Sequence, residues 1–111
     1  MIKLLILIVK KPGISRTDFI AHYETVHAPL IEKNLGHFFL DYTRSFVCED
    51  GRLGGAGEFD VLTEIRLKDR AALDAMFAAA GEPRLAAEIA ADEETFIDRT
   101  RVQMFVADVY P

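Results

Sequence analysis

A single cysteine, Cys48, leaves this chain of 111 residues no internal disulfide, and nothing in it points to an oxidising compartment. A cytoplasmic location is the expectation. The apolar opening stretch, Met1 to Val9, is too short to cross a bilayer, and it lacks the basic start and small-residue cleavage site of a signal peptide. It reads as a buried strand. Cations are the minority, 13 Lys and Arg against 18 Asp and Glu, and the resulting net charge of -5 argues against nucleic acid or an anionic membrane as partner. Metal-binding spacings are missing too. There is no His-x-x-x-His or Cys-x-x-Cys pair, and on an α-helix His22 and His27 would diverge by about 140°. Flavin and nicotinamide fingerprints are absent, so no cofactor is expected. The glycines around Gly54, Gly55 and Gly57 are followed by neither Lys-Ser nor Lys-Thr nor a helix, which makes them a hairpin loop, not a phosphate cradle.

What is present is ordinary globular composition, half apolar and 28% charged, enough for one domain spanning residues 1–111 with its own core. Ile2 to Val9 is nearly continuous Leu, Ile and Val, the pattern of a strand covered on both faces, closed by Lys10-Lys11-Pro12-Gly13. Ser15 offers an N-cap to a helix over 16–27, with Asp18 in its acidic first turn. Pro29 cannot donate and crowds the carbonyl of Thr25, so this helix is expected to stop or kink just after His27. Pro29 then suits the start of a short second turn, which Gly36 closes in the left-handed conformation. Aromatic and β-branched residues from His37 to about Glu49 predict a second strand, Glu49 to Glu58 a glycine-rich connection, and Phe59 to Lys68 a third strand. Asp69 caps a helix through Ala80. Gly81-Glu82-Pro83 interrupts it, a further helical run reaches about Thr95, and Val102 to Val109 closes the chain as a fourth strand.

The order strand, helix, strand, strand, helix, strand is that of the ferredoxin-like split βαβ arrangement, βαββαβ: an α+β fold whose four-stranded antiparallel sheet packs its helices on one face. The first two strands are apolar on both alternations, so the open face of a lone sheet would exceed the apolar patch a soluble protein usually tolerates. A second copy is expected to cover it, giving a homodimer. The segment Phe19-x-x-His22-Tyr23-x-x-x-His27-x-Pro29-Leu30 resembles the EthD-like proteins of the dimeric α+β barrel superfamily, whose first helix carries an aromatic pair followed by His-x-Pro-Leu. Lys10-Lys11-Pro12-Gly13, Ser15-Arg16, Phe59-Asp60, Asp92 and Phe96 extend the likeness along the chain. Tyr23 stands where the family often has Trp, and Val61 where it often has Gly. Haem-binding barrels of the superfamily supply histidine from a later helix, whereas no histidine follows His37 here. The resemblance implies a small cofactor-free enzyme acting on a hydrophobic, cyclic or aromatic oxygenated metabolite, by oxidation of monooxygenase type, isomerisation, or dehydration and decarboxylation. The main alternative is a non-catalytic ligand-binding accessory of an oxidative pathway, and a purely structural dimer is the third reading.

His27 is the chief chemical candidate, because an imidazole near neutral pKa at a helix irregularity serves as general acid or base when a substrate reaches it. The alternative is a core histidine that ties the helix to a backbone carbonyl. Tyr23, one turn earlier on the same stripe, offers a phenolic hydrogen bond, or is simply a core aromatic. Asp60 and Glu64 share one side of the third strand; facing a pocket they would serve in proton transfer, and facing solvent they are a charge pattern. Asp60, where the resemblance lies, is assigned to catalysis with His27 and Tyr23. Tyr42, Arg44 and Glu64 are assigned to substrate binding. His22 is expected to pair with Asp18 at the surface.

Overall fold

The computed structural model describes residues 1–55 and 57–111; Ala56, in the expected glycine-rich connection, lies outside them. Four strands, β1 (Ile2–Ile8), β2 (Asp41–Phe46), β3 (Val61–Leu67) and β4 (Gln103–Asp108), form one sheet in the order β2-β3-β1-β4 with every neighbouring pair antiparallel. The helices are α1 (Arg16–His22), α2 (Ala28–Leu35), α3 (Arg70–Ala80) and α4 (Pro83–Phe96). This is the ferredoxin-like α+β fold expected from the sequence. Among the described residues no helix is long and apolar enough to cross a membrane.

Period-two alternation sorts the sheet into two faces. Val61, Thr63, Ile65 and Leu67 of β3 are all buried under the helices, and the intervening Leu62, Glu64 and Arg66 point the other way and are half-covered. Because directly opposed residues share a face, the register places Leu5 beside Glu64 and Phe105 on that open side. The helix side holds two clusters, one around Leu4, Ile65, Leu67, Leu73 and Met76, the other around Ile8, Phe19, Tyr23, Val61 and Phe96. The second is aromatic: Phe19 meets Tyr23 and Phe46 edge to face, with ring centroids 6.2 and 6.0 Å apart, and Tyr23 meets Phe96 likewise at 5.6 Å. Such pairs are directional, which fixes the orientation of each ring as well as burying it.

The caps follow the sequence. Ser15 Oγ accepts from the Asp18 amide at 3.1 Å to start α1, and Asp69 accepts from the Ala72 amide at 2.9 Å to start α3. The strands are each shorter than expected, and the largest boundary differences fall at the start of β2 and at Gly36. His37 lies in a 3₁₀ turn (Gly36–Phe38), so β2 begins only at Asp41, and Gly36 continues helically at φ -59° in place of closing the helix left-handed.

The larger correction concerns Pro29, which does not end the first helix. Between α1 and α2 the chain makes one π-helical turn, Tyr23–His27, and the backbone stays helical from Arg16 to Leu35. The Ala28 amide bonds to the Tyr23 carbonyl, five residues back, and the next residue is Pro29, which has no amide to place. The widened turn thus absorbs the missing donor where a kink was expected. It also changes which side chains face together. With one residue inserted in the turn, His22 and His27 come to lie one above the other, where an α-helix would have splayed them apart. Replacing Pro29 with Ala restores a donor for the Thr25 carbonyl and removes the cause of the π-turn. The expected outcome is unchanged helix content by circular dichroism with an altered His27 ring environment by NMR; an unchanged His27 signal would show that contacts elsewhere hold the turn.

Candidate functional site

The π-turn aims both imidazoles at one residue of α4. His27 Nδ1 lies 2.8 Å from Asp92 Oδ2, and His22 Nε2 lies 2.7 Å from Asp92 Oδ1. A carboxylate only accepts, so each of these ring nitrogens carries the proton. For His27 that leaves Nε2 as the basic nitrogen, and it makes no hydrogen bond among the described residues. His22, expected to pair with Asp18, instead completes this bridge, with Thr95 Oγ1 at 3.4 Å from the same Nε2. Exposure rises outward along the chain of contacts: the His27 side chain is 7% exposed, Asp92 11% and His22 26%.

His27 lines a cavity of about 160 Å³ between the helices and the sheet. Its walls are mostly aliphatic, including Ile6, Ile31, Ile65, Met76 and Ile89, and its polar groups are His27, Tyr23, Tyr42, Thr63 and Glu93. Tyr23 OH and Thr63 Oγ1 share a short hydrogen bond of 2.5 Å, and both side chains are buried. Burial pushes the Tyr23 phenol up, the Thr63 contact opposing. The Tyr42 phenol is raised further, again by burial first and then by the charge that a neighbouring ionised Tyr23 would carry. Both phenols therefore stay protonated and act as donors. Burial also pushes Glu93 up, with Arg99, 3.6 Å away, opposing.

Arg44 stands at the edge of this group. Its guanidinium lies 4.5 Å from the centre of the Tyr42 ring and forms a two-pronged pair with Glu24 at 2.8 and 2.7 Å. That hydrogen bonding lowers the Glu24 carboxyl and raises Arg44. Of the sequence candidates, then, Tyr23, His27 and Tyr42 meet in one cavity and Arg44 brackets it. Asp60 and Glu64 do not join them. Glu64 lies on the open sheet face with Lys3 at 3.2 Å, and Asp60 accepts from the Lys10 amide at 2.7 Å with Arg52 at 3.6 Å, which makes it a clamp on the end of β1. The alternation of β3 sends Glu64 away from the helices, and Asp60, just before the strand, lines a separate groove with Arg16, Phe19 and Arg52. Sequence reasoning missed the parts played by Asp92, Thr63 and Glu93. Asp92 carried a signal only through the family resemblance, since its contact to His27 spans 65 positions.

A larger and shallower groove of about 500 Å³, lined by Leu7, Val9, Phe59, Arg101 and Gln103, opens at one end of the sheet. Its charged residues, Glu58 and Arg101, are paired with each other, and it contains no histidine. The inner cavity is the candidate site.

The sign of one pH effect follows. Burial lowers the His27 pKa below its ordinary value, with Asp92 opposing and His22 adding a smaller depression. Below about pH 6.5 the unfolded chain takes up a proton that the folded imidazole resists, so His27 contributes a loss of stability as pH falls. His27→Asn keeps a donor toward Asp92 and removes the titration. Melting temperatures measured from pH 7.5 down to 5.5 are expected to fall more steeply for the native protein than for the variant, and parallel curves would show that His27 is not held neutral. Every other ionisable group is common to both proteins, so the difference reports on His27.

Comparisons with known proteins bear on the family and the fold. The EthD domain model matches residues 11–100. No curated protein matches the sequence. An EthD family protein from Bacillus halodurans superposes with a TM-score of 0.67 at 22% identity, covering 99% of both chains. A dimeric protein of unknown function and ferredoxin-like fold from Bacteroides fragilis gives 0.61 at 7% identity, over 97% of this chain and 95% of the other. An antibiotic biosynthesis monooxygenase gives 0.60 at 18% identity, over all of both chains. At these identities the likeness to the solved structures is one of fold. The domain match, spanning most of the chain, places it in the EthD family.

Proposed function

We propose that the protein is a cofactor-free enzyme that moves a proton on a small hydrophobic oxygenated ring compound. The observation that carries this is the Asp92–His27 pair, with Nδ1 held by the carboxylate and Nε2 left without a partner in an apolar cavity. A carboxylate behind an imidazole fixes its tautomer and stabilises the imidazolium that forms when the ring accepts a proton. Burial keeps the ring neutral at pH 7, so it starts as a base. A cavity of about 160 Å³ matches the size that encloses a single six-membered ring. Oxidation, isomerisation and elimination all begin with proton removal from an activated carbon. The fold likeness to an antibiotic biosynthesis monooxygenase supports oxidation among them.

His27→Asn is expected to lower kcat/KM by about 10²–10⁴, the usual contribution of general base catalysis, while the protein stays folded. Turnover is measured over a panel of one-ring ketones, phenols and lactones, with a melting curve of each variant alongside. Full turnover in a variant that melts several degrees lower would make His27 structural. Tight binding with no turnover in either protein would mark a ligand-carrying accessory.

The same reading includes a homodimer formed through the open sheet face. Leu5, Leu7 and Leu62 lie there beside Phe105, which is 46% exposed, and the dimeric ferredoxin-like neighbour supports the arrangement. Sedimentation is expected to show a dimer at micromolar concentration and a shift to monomer for Leu5→Lys. A native monomer would overturn the assignment.

A further inference from the structure

We infer that Glu93 is the acid of this site, giving a proton to the carbonyl oxygen of a ring ketone or lactone while His27 takes one from the carbon beside it. The inference rests on His27 acting as the base. Leu85, Ile89 and Glu93 recur every four residues along α4 and so share one stripe, on which Leu85 and Ile89 pack against the cluster around Leu4 and Ile65. Packing alone asks for an aliphatic side chain at the third place. A carboxyl stands there, lining the same cavity as His27. Its partner is loose: Arg99 Nε lies 3.6 Å from it, outside hydrogen-bond distance, and the Arg99 guanidinium bonds to Glu94 at 3.1 Å instead. The other polar groups of the wall are engaged. Tyr42 gives its hydrogen to Tyr23, Tyr23 and Thr63 share a hydrogen bond, and His27 is held by Asp92. Glu93 is thus the one polar side chain of the cavity that makes no hydrogen bond among the described residues.

Hydroxyls and phenols hold their protons far above neutral pH, and burial raises both phenols further, so they orient an oxygen without protonating it. A carboxyl gives its proton up. Burial pushes Glu93 toward the acid form against the pull of Arg99, with the Asp92 charge adding, while burial keeps His27 neutral. Environments that hold one group protonated and its neighbour free assign the acid and the base. The Glu93 side chain is 27% exposed, so it reaches solvent as well as the cavity. In the step itself His27 Nε2 takes the proton from carbon, the C–H electron pair forms the C=C bond of an enol, and the carbonyl π pair binds the Glu93 proton. Glu93 is left as carboxylate and His27 as imidazolium. Reversal of both transfers restores the two residues, and no oxidant or reductant is needed.

Cyclohexanone and δ-valerolactone in D₂O report the step as deuterium incorporation by NMR. Glu93→Gln keeps shape and polarity without a proton to give, and Glu93→Leu completes the apolar stripe, so the melting temperature of the Leu variant is expected to equal or exceed the native value. Native protein is expected to deuterate at least one of the two compounds, and each variant to slow exchange by about tenfold or more. As pH rises, the native rate is expected to climb while His27 loses its proton and to fall while Glu93 loses its own; Glu93→Gln removes the fall. The groups that face Glu93, namely Asp92 on its own helix, Arg99 beside it, and His27, Tyr23 and Tyr42 in the cavity, are common to native protein and variant. A second readout needs no substrate. At about pH 5.5, above the ordinary carboxyl range, the infrared spectrum of native protein minus Glu93→Gln is expected to show the C=O stretch of a protonated carboxyl, and its absence overturns the inference. Native exchange rates in Glu93→Gln overturn it too, even where His27→Asn abolishes exchange and so upholds the base. No exchange by native protein overturns the proton-transfer reading and the inference with it.

Discussion

The carboxylate of Asp92, shared between His22 and His27, is the contact on which the site depends. It sits on α4, both imidazoles sit on the first helix, and so it fixes how these two long elements meet over the sheet. A largely buried carboxylate with one oxygen unpaired would be costly, and here each oxygen receives a ring N–H. Two donors five positions apart in sequence reach one carboxylate only because the intervening turn is π-helical. Pro29, by refusing an amide bond, favours that turn; Asp92, by accepting from both rings, gives it a partner.

The aromatic cluster then isolates what the carboxylate has positioned. Phe96, one turn beyond Asp92 on α4, lies 5.1 Å from the His27 ring and 4.5 Å from the His22 ring, centroid to centroid. Tyr23 stands edge-on to His27 at 5.1 Å. These contacts exclude water from the inner side of the imidazole, which is why desolvation outweighs the opposing pull of Asp92 on its pKa. A neutral ring results, oriented by its acidic partner and open only toward an apolar space. A histidine tied to a backbone carbonyl, the bland alternative, would have had no carboxylate behind it.

The fold was legible in the sequence because its signals are local: period-two strands, Ser15 and Asp69 as caps, Pro83 opening α4. Tyr23 and His27 were legible for the same reason, lying one turn apart on an apolar stripe. The errors have a common cause. Angles of 100° per residue assume every turn is α-helical, so a single inserted residue at Tyr23–His27 reversed the expected relation of His22 to His27. The contacts of Asp92, Thr63 and Glu93 bridge elements far apart in the chain and leave no periodic trace. Period two put Glu64 on one side of β3 with Leu62 and Arg66, but which side met the helices could be decided only by packing, and Asp60 falls just outside the strand.

That alternation along β3 has a further consequence. Thr63 and Glu64 are adjacent, yet one bonds to Tyr23 beneath the helices and the other to Lys3 on the open side. The sheet thus divides chemistry from association. Polar groups on the helix side are enclosed by this chain's own helices and need no second copy to be buried, as the exposures of His27, Tyr23 and Thr63 show. On the open side Arg66 Nε, opposite Lys3 and Asp41 in the sheet, is buried without a hydrogen-bond partner among the described residues, and Leu5, Leu7 and Leu62 lie further along the same face. A partner covering that face meets apolar area and an unsatisfied cation, whereas a ligand entering the helix side meets a base and a donor. Because a strand presents the two faces through alternate residues, substitutions one position apart act on different properties, which is the physical reason the two can be separated by mutation.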